Sequence, residues 1–166
     1  MSNREITFKW VAYALCTALL LFLHTLFLGG VRIWGVLPFL PPVLLSCVAA
    51  QEALRPAALF GLALGVCCDL LFSAPLPCLY TLSFTVSALL TAWLSMKVFQ
   101  NTVLRALSGT LLTFIVTDLL CMLSFALRAD AALVPMLSLA ARETAVSLPL
   151  LIVFPLYFMI RRFFTF

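Results

Sequence analysis

The sequence predicts an all-α fold: a polytopic integral membrane bundle of about six transmembrane helices, forming a single domain over residues 1–166. Three observations predict it. The chain is 65% hydrophobic and 10% charged with a mean hydropathy of +1.22, which is more apolar surface than 166 residues could hide from water. Its few charges separate six apolar runs, each near the roughly 20 residues that a helix needs to cross a hydrocarbon core. Those runs are apolar at odd and even positions alike, whereas membrane strands alternate over about ten residues. In lipid, backbone polar groups must then pair within helices.

The first span, 10–28, closes at Gly29-Gly30-Val31-Arg32. It exceeds the about 7–15 apolar residues of a signal peptide and no A-x-A site follows, so it reads as a retained signal-anchor helix. The second, 33–50, carries Pro38, Pro41 and Pro42 in its first half. Proline lacks the backbone donor and disfavours helix in the preceding residue. Residues 36–42 are therefore expected to be irregular and covered by protein, with a shortened helix starting near Pro42 whose full crossing stays open. The third span, 56–72, opens on Pro56, which suits a first helical turn. Ser73-Ala74-Pro75-Leu76-Pro77 reads as a turn, the fourth span as 79–96, and 97–103 as a loop carrying Gln100-Asn101-Thr102. The fifth span is 104–127. Residues 128–143 mix charges with leucines and read as an amphipathic helix on the outer surface, before a sixth span at 144–160. Short connections predict antiparallel neighbours in one bundle.

Orientation follows from the basic residues. With the N-terminus inside, the cytoplasmic set is Arg4, Lys9, Arg55, Lys97, Arg105, Arg161 and Arg162, against Arg32, Arg128 and Arg142 outside. That bias puts both termini in the cytoplasm, and it accounts for the net charge of +4. Trp10, Trp34 and Trp93 fall near span ends, as interface anchors do. No basic patch with interleaved aromatics exists, so a nucleic-acid partner is not expected.

Groups for chemistry are scarce. The single histidine, His24, reads as a hydrogen-bonded residue near the outer interface. The six cysteines show no C-x-x-C spacing and no neighbouring ligand cluster, so neither a metal nor another cofactor is expected. Hydrolase and phosphate-binding motifs are missing, and Glu5, Glu52 and Glu143 fall at or outside span ends. Asp69 and Asp118 stand within spans, where an ionisable residue is a functional hypothesis by default. Each is either a functional group or a cap and helix-to-helix tie, and the two could share one polar pocket.

The sharpest spacing is on the third span. Ala57, Gly61, Gly65 and Asp69 recur every four residues and form one ridge, the small-xxx-small pattern of close helix contact. That face serves either internal packing or a partner. Gly61→Leu or Gly65→Leu should then disrupt the protein far more than Ala88→Leu, and Asp69→Asn should be milder than Asp69→Leu. Ala14 and Ala18 repeat the spacing on the first span, which the alanine content alone explains.

Residues 8–93 resemble MreD, the integral membrane subunit of the bacterial rod-shape complex, particularly its clostridial-type members. The carrying motifs are W-V-A-Y-A-L at 10–15, L-P-F-L-P-P at 37–42 and A-L-F-G-L-A-L-G-V-C-C-D-L-L at 58–71, then P-L at 75–76. The family pattern is a G-x-x-x-G helix ending in Asp-Leu-Leu, followed by a turn ending in Pro-Leu-Gly. This chain has Pro77 in place of that glycine, and His24 where glutamine is common. The resemblance implies a scaffold without catalytic activity or cofactor in the bacterial cytoplasmic membrane. It implies partners too: an MreC-like protein, a RodA-like glycosyltransferase, a class B penicillin-binding protein and MreB. In size and span count the family is also similar to the substrate-binding subunits of energy-coupling-factor vitamin transporters. Such a subunit needs several polar groups converging on an apolar pocket, and Asp69, Asp118, His24, Thr113 and Thr117 are nearly the whole supply.

Overall fold

The computed structural model describes residues 3–72, 76–97, 101–128 and 133–164. These are helical throughout apart from short connections, in the order α1 (Asn3–Leu23), α2 (Pro41–Ala49), α3 (Leu54–Leu71), α4 (Leu79–Lys97), α5 (Thr102–Arg128), α6 (Leu133–Ser147) and α7 (Phe154–Phe164). Five stretches are long and apolar enough to cross a membrane: Ile6–Phe27, Leu54–Leu71, Leu79–Lys97, Thr102–Ser124 and Pro135–Phe163. With large apolar side chains such as Leu15, Leu19, Leu70 and Ile152 facing outward, the chain is a multi-pass membrane bundle.

The second predicted span is corrected. Residues 33–40 are not helical: Ile33 and Val36 exchange backbone hydrogen bonds of 2.9 and 3.1 Å around a two-residue turn. Trp34 (φ 54°) and Gly35 (φ 82°) make that turn, both in the left-handed region that such a hairpin requires. Helix starts at Pro41, one residue before the expected Pro42, because Pro41 and Pro42 occupy its first positions, where their missing donors cost nothing. All nine residues of α2 are buried, so this short helix is the bundle's central post, not a lipid-facing span.

The segment nevertheless crosses the interior. The Pro38 carbonyl meets His24 at one end of α1, and Glu52 meets Lys9 at the other. Fifteen helical residues separate Lys9 from His24, about 22 Å. The non-helical residues 37–40 before Pro41 supply the reach that a nine-residue helix lacks. α7 runs back along α1, with Tyr157 stacked on Tyr13 at 5.9 Å and hydrogen-bonded to Thr17 at 2.8 Å. Both termini therefore lie at the same end of the bundle; the other is called the far end below.

The last span also differs from expectation. α6 starts at Leu133 and runs through a 3-10 stretch, Leu148–Val153, into α7, so 128–143 is not a separate surface helix. Residues 129–132 lie outside the described residues. Pro149 and Pro155 each remove a donor and crowd the carbonyl four residues back, which tightens the chain between them.

Candidate functional site

The ridge on α3 packs against α4, in the most extensive helix pairing among the described residues. Ala57, Gly61 and Gly65 are buried. A Cβ at Gly61 would stand 2.7 Å from the Phe84 carbonyl oxygen, and one at Gly65 would stand 2.5 Å from the Thr81 Cα. Only glycine lets the backbones come this near. The ridge thus serves internal packing.

Close approach delivers Asp69 to the start of α4. Its Oδ1 accepts from the Tyr80 N–H at 3.0 Å, and its Oδ2 accepts from the Thr81 N–H at 2.9 Å and from the Thr81 hydroxyl. These are among the first N–H groups of α4, which have no partner inside their own helix. Asp69 is a cap supplied from a neighbouring helix, on the end where the helix dipole favours negative charge. These contacts narrow the gap expected between Asp69→Asn and Asp69→Leu. Both oxygens accept, and an amide nitrogen would turn a donor toward a donor. Ala88 is also no neutral control. It is fully buried, and its Cβ lies 2.8 Å from where a Gly61 Cβ would be.

Pro77 belongs to the turn before α4 and lines a small cavity with Asp69 and Cys78, whereas Pro75 lies outside the described residues. Asp118 lines neither that cavity nor the larger one beside it. Glu143 of α6, a residue that sequence reading leaves outside the spans, belongs to the larger cavity. The reason is tertiary: α6 carries Glu143 back against α5.

Glu143 lines the larger far-end cavity, of about 570 Å³, with His24, Pro38, Phe39, Phe72 and Tyr80. His24 is buried, 6% exposed, and its Nε2 lies 2.8 Å from the Pro38 carbonyl oxygen. A carbonyl only accepts, so Nε2 carries the proton, and Nδ1 has no partner among the described residues. The rings of Phe39, Phe72 and Tyr80 meet with centroids 5.5, 5.6 and 6.5 Å apart and make one wall. The Ser147 hydroxyl oxygen accepts from the Phe39 N–H at 2.8 Å and fixes this segment against the end of α6.

At the opposite end, Lys9 Nζ lies 2.9 Å from both carboxylate oxygens of Glu52, and the Tyr13 hydroxyl donates to the same group at 3.2 Å. Sequence reading counts Lys9 only as orientation bias and discounts Glu52 as a loop acid. The ion pair is mostly buried and ties α1 to the connection between α2 and α3. Sequence reading also passes over the small-polar face of α4, Ser83, Ser87, Thr91 and Ser95, whose four-residue spacing was the available signal. Thr91 and Ser46 close on Gly109 of α5, where even a methyl group would collide with the Thr91 side chain.

A further feature lies between α1 and α3. The two helices stand apart, and a membrane-facing groove runs between them in two continuous compartments of about 400 and 470 Å³. Both compartments touch Ala14, Phe60 and Ala63, and the groove extends from Trp10 and Arg55 at the terminal end to Thr25 and Leu71 at the far end. Ala14 and Ala18 both line the upper part, with Cys67 of α3 across from them. Compared with protein families, curated proteins and solved structures, the chain matches none. What sequence and geometry define is the class: an all-α multi-pass membrane protein with an open groove between α1 and α3 and cavities at the far end.

Proposed function

We propose that this protein is a non-enzymatic scaffold subunit of a bacterial cell-elongation complex, seated in the cytoplasmic membrane with both termini in the cytoplasm. It supports peptidoglycan synthesis by holding a transmembrane helix of a partner in the α1–α3 groove. The partners are those of the rod complex: an MreC-like protein first, then RodA-like and class B penicillin-binding proteins, with MreB at the cytoplasmic face.

One observation carries this reading. Segments 10–15 and 58–71, which bear the resemblance to MreD, line the two walls of the groove: Trp10 and Ala14 on one side, Phe60, Ala63 and Cys67 on the other. From Trp10 to Thr25 the groove is about 22 Å long, most of a hydrocarbon core. Small residues on both walls suit a second helix, since helices associate in lipid by close backbone packing and not by hydrophobic expulsion.

The test is a photo-crosslinking residue at Ala63, with Val86 on the outer face of α4 as control, in native membranes. Recovery of peptidoglycan-synthesis proteins from Ala63 alone supports the scaffold. Recovery of a paired ATPase would move the protein to the second reading, the substrate-binding subunit of a small-solute transporter. That reading has its own support in the far-end cavity, where His24, Tyr80 and Glu143 converge. Adducts with lipid alone would remove the groove from the argument.

A further inference from the structure

We propose that the far-end cavity binds a small organic ammonium: a protonated amine with a compact apolar body. The inference is independent of the scaffold reading and concerns a different face of the molecule.

Acceptors dominate the cavity. Glu143 lines it and makes no ion pair or hydrogen bond with a described side chain, whereas Glu52 and Asp69 are fully engaged. His24 adds an acceptor lone pair at Nδ1, buried and without a partner among the described residues. Burying an acceptor without a donor is unfavourable, and a donor entering the cavity would relieve it. A carboxylate with no cation beside it favours a positively charged ligand.

The walls decide what kind of cation fits. Phe39, Phe72 and Tyr80 present aromatic surface, which attracts an ammonium through its ring quadrupole and accepts the carbon body beside it. An inorganic ion would lack ligands, since among the described residues no three His, Cys, Asp or Glu side chains come together. About 570 Å³ lies within the usual 300–1,000 Å³ of small-molecule sites. The N–H groups of the ligand would satisfy Glu143 and His24 Nδ1, and its charge would offset that of Glu143.

The probe is phenethylamine, titrated calorimetrically into the full chain in phosphatidylcholine nanodiscs, with 2-phenylethanol and phenylacetate as neutral and anionic analogues. Saturable binding of the amine is expected, at least ten-fold tighter than either analogue. Glu143→Gln, which keeps shape and removes charge, should weaken it ten-fold or more. His24→Phe, which keeps the ring and removes the acceptor, should weaken it several-fold. Equal binding of the three probes, or undiminished binding by folded Glu143→Gln protein, overturns the proposal. Adding phosphatidylethanolamine to the nanodiscs then separates the two natural sources of an ammonium. Competition lost in Glu143→Gln assigns the site to a lipid headgroup, and its absence assigns it to a free amine.

Discussion

Gly65→Ala is the smallest change that tests how α3 and α4 are joined. The added methyl carbon would stand 2.5 Å from the Thr81 Cα, 2.7 Å from the Tyr80 carbonyl oxygen and 2.9 Å from the Thr81 nitrogen. All three are backbone atoms, so no side chain can turn aside. Carbon atoms rest at about 3.5–4 Å, which requires α4 to withdraw by about 1 Å. Overpacking of this kind costs about 1–3 kcal/mol. The same withdrawal stretches the hydrogen bonds from Tyr80 and Thr81 to Asp69, each a bond to a charged group worth about 1.5–3 kcal/mol. Alanine's better helix propensity returns about 1 kcal/mol. The expected net loss is about 2–3 kcal/mol, a fall of roughly thirty-fold or more in the folded-to-unfolded ratio. Equilibrium unfolding in mixed micelles, followed by the fluorescence of Trp93 on α4, reads it directly. The cycle with Asp69→Asn reads the coupling, because both changes spend the same cap and should fall short of additivity. Wild-type stability for Gly65→Ala, or additivity within about 0.5 kcal/mol, would refute the account.

Further outcomes follow from other contacts. Asp69→Asn should approach Asp69→Leu in lost stability while Thr81→Val, which removes only the hydroxyl bond, stays milder; comparable losses for Asn and Val would point away from a two-oxygen cap. Gly61→Leu should sharply reduce the monodisperse fraction in detergent, whereas Val66→Leu on the exposed face of α3 should leave it unchanged. Lys9→Met should cost about 3–5 kcal/mol by stranding Glu52, and adding Glu52→Gln should recover most of it in the same unfolding assay. With single-Cys variants in intact cells, an impermeant maleimide should label Cys78 and leave a cysteine at Asn101 unreacted; the reverse pattern would invert the proposed orientation.

Composition and run length by themselves determined that this chain is helical, apolar on its outside and crosses a bilayer several times. Those properties follow from local rules: lipid offers no partner to a bare peptide group, so each long apolar run must satisfy its own. The close-contact face of α3 was equally legible, since Ala57, Gly61, Gly65 and Asp69 share one side of any helix. Sequence could not say what meets that face, because small-residue spacing is the same for an internal neighbour and for a partner. Tertiary structure alone decided that Asp69 caps α4 and that α2 is a buried post. It also decided that Glu143, His24 and Tyr80 line one cavity, and that Lys9 reaches Glu52 across 43 positions. Those pairings join residues far apart in the chain, and a carboxylate in a sequence carries no mark of which distant donor will come within 3 Å of it.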